Sequence, residues 1–460
     1  MKRIRLITAV VVAVMVIMTG CGRKGEDRNM IASENTVTEV GTENGRDEED
    51  KKTDGTNNKE MNDAEGVATE NDTTGSGSDV VNQDERTESE FNLLNQEEMT
   101  AAMGAGWNLG NQLEASMNGK PSETVWGNPM ITKELIAAVK NAGFSSIRIP
   151  VSYFSYIGEA PDYTVDAKWL DRIETVVNYC LDEGLYVIIN MHGDGYHTMD
   201  GGWLFCDSED QEKIQEKYAA VWEQIAVRFR DYDEHLIFES MNEEFDGNYN
   251  NPDLSFYKNI NAYNQIFVDT VRQTGGNNAM RYLLIPGWNT DITYTSASYG
   301  FVIPDDTYRS DKIPKAQKQI MISVHYYTPW DFCGDENGNV TQWGKDATDA
   351  GKAAKSCTED YMVEQFEKLK TEYTSQGYIV VIGEYGSIDK TVYDSTSNYY
   401  RSYFAKTLCE NAKETGCVPM YWDNGSNATY GFALFSRRSY KVTQPDILSS
   451  IMSVYSPQTP

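Results

Sequence analysis

Two glutamates stand where a pair of carboxylates could work on one bond: Glu243, in the run LIFESMNEE at 236–244, and Glu384, in VVIGEYG at 380–386. Retaining glycoside hydrolysis needs such a pair, one protonated carboxyl as acid and one ionised carboxylate as nucleophile, roughly 5–5.5 Å apart. Either alone carries little weight, because the chain holds 70 Asp and Glu and most acidic side chains are surface groups. Their company singles them out. Each closes an apolar, β-prone run, and so do Arg148, the group Asn190, Met191 and His192, Asn242, the group His325, Tyr326 and Tyr327, and Trp422. One strand ending in a polar group means nothing, but six ending so describe a surface.

The elements that must position these groups recur along the chain. Apolar runs are expected as strands at Gly104–Leu109, Ser146–Pro150, Tyr186–Met191, Leu236–Met241, Tyr282–Pro286, Ile320–His325, Ile379–Gly383 and Val418–Trp422. Between them lie helical patterns. Trp169, Leu170, Ile173, Val176, Val177, Cys180 and Leu181 keep the spacing of one buried helical face, as do Ile214, Tyr218, Val221, Trp222, Ile225 and Phe229, and Met362, Phe366, Leu369 and Tyr373. Only the stretch between the fifth and sixth strands, around Tyr308–Lys318, is weakly helical. Eight βα units close into an α/β barrel of the (β/α)8 type, whose chemistry sits at the C-terminal ends of its strands. The rival, an open doubly wound sheet, lacks a G-x-G-x-x-G after the first strand. In a barrel, the ends of strands four and seven set Glu243 and Glu384 across one mouth.

These runs, with SIRIPVSY at 146–153 and GWNLGNQLEA at 106–115, resemble glycoside hydrolase family 5 of clan A, over residues 95–455. WNLGNQLEA, TVWGNP and WDNG look most like its subfamily of bacterial endo-β-1,4-glucanases and xyloglucanases. The resemblance implies a role at each matching position. Glu243 would be the general acid/base and Glu384 the nucleophile. Asn242 would bind the sugar 2-hydroxyl, Arg148 would keep Glu384 ionised, and Tyr327 would orient it. His325 would hold the acid/base region, His192 and Trp422 would contact the sugar beside the cleaved bond, and Asn108 would support them. No metal or cofactor is implied.

The sequence departs from the family twice. Gly193 stands where a second His often follows His192, a gap that His197 in the same loop could fill, if it has a role at all. Glu244 replaces the usual Pro after Glu243 and is expected to raise its pKa by like-charge repulsion. His235, in a charged turn, is expected in solvent. Of Trp126, Trp203, Trp288, Trp330 and Trp343, all near loops on the catalytic face, about half are expected to be core and the rest to line a sugar-binding cleft. The loop 329–357, with DFCGDENGNV, could hold calcium, although its acidic spacing is not that of an EF-hand.

Composition bounds the rest. All 53 Phe, Trp and Tyr fall at or after Phe91, so residues 22–90 have almost nothing to bury and read as a disordered acidic linker. The catalytic domain is then 91–460. The net charge is −30, of which the first 21 residues contribute +3 and the linker −12. The remaining −21 argues against nucleic acid and for a neutral polymer, such as a β-glucan, as partner, with the domain a monomer. Lys2, Arg3 and Arg5 before the apolar run Leu6–Met18, then Thr19, Gly20 and Cys21, describe an export signal of 1–21 resembling a lipobox. Lipid on Cys21 would be the one membrane attachment, at the bacterial surface; plain secretion is the alternative. Of the six other cysteines, Cys180 reads as core and Cys333 with Cys357 as the favoured bridge.

The leading reading is a retaining endo-β-1,4-glucanase acting on cellulose, mixed-linkage glucan or xyloglucan. Alternatives are a mannanase or xylanase on the same fold, a glycan-binding lipoprotein without activity, and a metal-dependent hydrolase.

Overall fold

The computed structural model describes residues 91–455. The expected export signal over 1–21, with Cys21, and the expected linker over 22–90 lie outside the described residues. The expected strands form as β1 (Gly106–Asn108), β2 (Ser146–Ile149), β3 (Tyr186–Asn190), β4 (Leu236–Glu239), β5 (Leu283–Pro286), β6 (Ile320–Tyr326), β7 (Ile379–Tyr385) and β8 (Cys417–Tyr421). All pair in parallel with their neighbours, and β8 closes on β1 to make a barrel. Every strand residue is buried, which is why these segments read as apolar runs and not as alternating ones.

Alternate residues face inward and outward. Ile188, Ile237, Leu284, Met321, Val381 and Met420 fill the interior, while their neighbours pack under the helices. The interior is closed below by α1 (Gln96–Met103), whose Met99 and Met103 complete the inner cluster. Asn95 starts that helix in a reciprocal capping box with Glu98. Burying two methionine side chains in this way contributes about 1.5–3 kcal/mol each. The outer layer holds α2 (Lys133–Asn141), α3 (Ala167–Asp182), α4 (Gln211–Arg228), α5 (Leu254–Gln273), α7 (Glu359–Glu372) and α8 (Ser397–Thr415), with α6 (Trp330–Cys333) a single turn and α9 (Pro445–Tyr455) last. The expected apolar faces of α3, α4 and α7 are the buried ones.

Strict alternation would have failed at one place. Along β7, Val381 points in and Ile382 out, so Glu384 would point out. Instead the register shifts: Val324 pairs with Ile382 but His325 pairs with Glu384, and on the other side Pro419 pairs with Ile382 but Tyr421 with Tyr385. The extra residue is a β-bulge at Gly383–Glu384 that turns the Glu384 carboxylate into the barrel. Gly383 also lets His325 in, since a Cβ there would stand 3.0 Å from His325 Nε2.

Three expectations need correction. Residues 308–318 form turns, not a helix, because Arg309 donates to the carbonyls of Lys315 and Gln317 and closes an open loop around Pro314. Cys333 is a free buried thiol and is not bridged to Cys357; burial pushes its pKa well up. His235 is half-buried, stacked on Tyr186 and paired with Asp233 at 3.1 Å.

Candidate active site

The mouth of the barrel is organised by one guanidinium. Arg148, fully buried on β2, donates from Nε to Glu239 Oε2 at 2.6 Å, from Nη1 to Glu384 Oε1 at 2.8 Å and Asn108 Oδ1 at 3.1 Å, and from Nη2 to Asn242 Oδ1 at 2.6 Å. Glu239 is held in turn by the Ser323 hydroxyl at 2.7 Å. Burial opposes the Arg148 charge, but Glu239 and Glu384 outweigh it and hold the guanidinium pKa above its ordinary value. Asn108 donates to Gly383 O at 2.8 Å and so fixes the bulge from below.

Two carboxylates face each other above this layer. Glu384 accepts from Arg148 and, on Oε2, from the Tyr327 hydroxyl at 3.0 Å. Glu243 lies with Oε1 at 2.6 Å from His325 Nδ1, and its Oε2 accepts from the Tyr196 hydroxyl at 2.9 Å. An oxygen of Glu243, an oxygen of Glu384 and a nitrogen of His325 all lie within 4.8 Å of one another. Burial pushes Glu243 up to about 7, with Tyr196 and Arg148 opposing the rise and Glu239 adding to it. Burial also raises Glu384, against the charge of His325, when protonated, and that of Arg148, its direct partner. Burial drops His325 to about 4, so its ring is neutral near pH 7. Tyr327 and Tyr196 are held well above the usual phenol range, mainly by burial, and remain donors.

Trp422 and His192 form a wall beside this pair, with parallel rings 6.0 Å apart. Trp422 lies directly over Gly110, where a Cβ would stand 2.8 Å from its ring. Behind it, Trp107 Nε1 donates to Asp423 Oδ2 at 3.0 Å and Arg437 braces Asp423 and Gln112. One carboxyl kept protonated by burial and one carboxylate kept against a guanidinium, this close together, can do acid-assisted covalent displacement on an acetal.

A family model for cellulase (glycosyl hydrolase family 5) matches residues 109–428. This chain belongs to that family. Endoglucanase A of Paenibacillus barcinonensis is 61% identical over 354 residues, covering 77% of this chain and 88% of that protein. The structure is similar to a family 5 xyloglucanase from Paenibacillus pabuli solved in complex with ligand, with a TM-score of 0.77 and 59% identity over 78% of this chain and 100% of that one. A broad specificity endoglucanase from Bacteroides salanitronis aligns with a TM-score of 0.73 and 37% identity over 78% and 95%.

Within this family 5 chain, all nine residues singled out from the sequence converge on the barrel mouth: Asn108, Arg148, His192, Asn242, Glu243, His325, Tyr327, Glu384 and Trp422. Two members of the site were missed. Glu239 was visible as a carboxyl inside the apolar run expected over Leu236–Met241, and in the structure it closes β4. Tyr196 gave no signal beyond its place in the loop after β3. Its hydroxyl meets Glu243 and Asn242, while the space beside Gly193 is taken by Ser152 and Phe154; His197 turns away to stack on Phe205 and pair with Asp207 at 3.2 Å. Glu244 does not act on Glu243 as expected. It turns outward to accept from the Cys206 backbone at 2.9 Å, and the like charge that raises Glu243 comes from Glu239.

Of the loop tryptophans, Trp288 and Trp343 are core while Trp126, Trp203 and Trp330 are half-buried. The loop after β6 is not shaped for calcium: Lys390 enters it and donates to the carbonyls of Asp331 and Val340. Among the described residues, the trios able to offer metal ligands are Glu243, His325 and Glu384, and Asp233, Glu234 and His235 below the barrel, where Glu234 is occupied by Asn92.

Proposed function

We propose that this protein is a retaining, endo-acting β-1,4-glucanase that cuts neutral plant polysaccharide within the chain. The observation that carries this reading is the close pair Glu243 and Glu384, one buried without a cation in direct contact and the other ion-paired to Arg148. Glu384 attacks the anomeric carbon while Glu243 gives its proton to the departing glycosidic oxygen. Glu243 then takes a proton from water, the water oxygen bonds to the anomeric carbon, and the bond to Glu384 breaks. Asn242 spends one N–H on Tyr196, which leaves the second for the sugar 2-hydroxyl, a contact that tightens as the transition state forms. His192 and Trp422 pack against the same sugar.

The names of the relatives support an internal cut in a β-1,4-glucan backbone, including the backbone of xyloglucan. The basic residues, apolar run and Cys21 at the start of the sequence support export and lipid attachment at the cell surface, checked by whether Cys21→Ser releases the protein from the membrane fraction.

The test is reducing-sugar release on carboxymethyl-cellulose, mixed-linkage glucan, xyloglucan, glucomannan and xylan, with and without EDTA. Glucan activity that survives EDTA and disappears in Glu243→Gln and Glu384→Gln supports the reading. Activity dependent on metal, or a folded protein that binds glycan without cutting it, contradicts it.

A further inference from the structure

The hydrogen bonds at the mouth run in one forced direction. Arginine has only donors, so the Asn242 atom at 2.6 Å from Arg148 Nη2 must be its carbonyl oxygen. The amide nitrogen of Asn242 is then the group 2.6 Å from the Tyr196 hydroxyl, and it must donate to that oxygen. Tyr196 is left with its single hydrogen for Glu243 Oε2, 2.9 Å away. A relay of donors thus runs from Arg148 through Asn242 and Tyr196 to the carboxyl, and such chains strengthen each bond along them.

The loop that carries Tyr196 is fastened at both ends. Asp194 accepts from the Tyr153 and Phe154 backbone nitrogens, both at 2.9 Å, and from Trp203 Nε1 at 2.7 Å. Glu244 accepts from Cys206 and packs so closely on Gly195 that a Cβ there would run into Glu244 Oε2. The Tyr196 ring rests edge-on against His192 at 5.9 Å. The phenol is therefore built into its place before substrate arrives.

From this geometry we infer that Tyr196 is a positioning residue that orients Glu243 and limits how tightly it holds its proton. The inference rests on the reading of Glu243 as the acid/base. A donor aimed at a carboxyl favours the ionised form, so Tyr196 works against burial, which alone would make Glu243 too weak an acid for a sugar leaving group. The other charged and titratable groups facing Glu243 are Arg148, Glu239, Glu384, His325, Tyr327 and Tyr249, and Tyr196→Phe leaves every one of these side chains in the protein.

The experiment is the pH dependence of kcat/KM for the full chain and for Tyr196→Phe, on xyloglucan and on a dinitrophenyl cellobioside, whose leaving group needs little protonation. The basic limb of the variant is expected to move up by about one pH unit. Its rate on the polymer should fall about tenfold, and by a smaller factor on the aryl glycoside. Site-specific 3-fluorotyrosine in place of Tyr196, a stronger donor of nearly the same shape, should move the limb down. A limb that stays put in both proteins, with equal losses on both substrates, overturns the inference and leaves the role of Glu243 standing. Full polymer activity in Glu243→Gln would overturn the acid/base reading and the inference with it.

Discussion

Arg148 reaches Asn242 Oδ1 at 2.6 Å through the nitrogen adjacent to the one that holds Glu384 Oε1 at 2.8 Å. One rigid, planar cation thereby sets the orientation of the amide meant for the sugar and the charge of the carboxylate meant for its anomeric carbon. With Nε committed to Glu239, the guanidinium divides its donors among three strands. A lysine offers a single point charge and cannot make that fork.

Arg148→Lys should therefore lower kcat/KM by about a hundredfold or more, because Asn242 and Glu384 can no longer both be held. One ammonium cannot pair with both Glu239 and Glu384, so one carboxylate of a fully buried layer is left without its cation and the variant should lose about 3–5 kcal/mol of stability. Denaturant unfolding alongside kinetics checks both. A lysine variant with normal stability would show that the guanidinium is not the organiser of the site.

The raised pKa of Glu243 makes the stability of the fold depend on pH. A carboxyl held at about 7 in the folded protein binds its proton more tightly there than in the unfolded chain. Its contribution is present at low pH and is lost as the pH rises from about 4.5 through 7. Glu243→Gln copies the protonated form, with one oxygen for Tyr196 and an NH₂ for His325. The variant should match the wild type near pH 5 and melt higher near pH 8. Parallel melting curves across that range would mean that the wild-type carboxyl is not held protonated.

Most of the barrel was legible because strands buried on both faces must be apolar throughout and can turn polar only where they reach the mouth. The same constraint exposed Arg148, His192, Glu243, His325, Glu384 and Trp422. Other features lay beyond a one-dimensional reading. The bulge at Gly383 breaks the period of two that would aim Glu384 outward, and nothing in VVIGEYG announces it. Tyr196 sits in a glycine-rich loop with no periodicity, so its neighbour His197 looked the better candidate on residue type alone. Glu244 was judged by its distance along the chain, whereas the folded backbone sends its side chain the other way.

The contact between Trp422 and Gly110 makes a separate prediction. Gly110→Ala would push a methyl into the Trp422 ring and the Asp423 carbonyl, both within 3 Å of it. The displaced indole should raise KM for glucans about tenfold through weaker sugar stacking. The basic limb of the pH profile should not move, since Glu243 and its partners lie on other elements. An unchanged KM would remove Trp422 from the sugar site.

Cys333 is a buried thiol, so stability should not depend on a bridge to Cys357. A disulfide across a loop of that size would contribute about 3 kcal/mol. Melting with and without reductant should give the same Tm, and Cys333 should be alkylated only after unfolding. A several-degree drop in reductant would reveal a bridge after all.

The central claim, that Glu384 attacks the sugar and Glu243 stands too close to admit an inverting water, is tested most directly by the anomer released first. Proton NMR of a cello-oligosaccharide or xyloglucan digest, recorded before mutarotation, should show the β-anomer appearing ahead of the α. An initial α-anomer would contradict the double displacement and the roles given to both carboxylates.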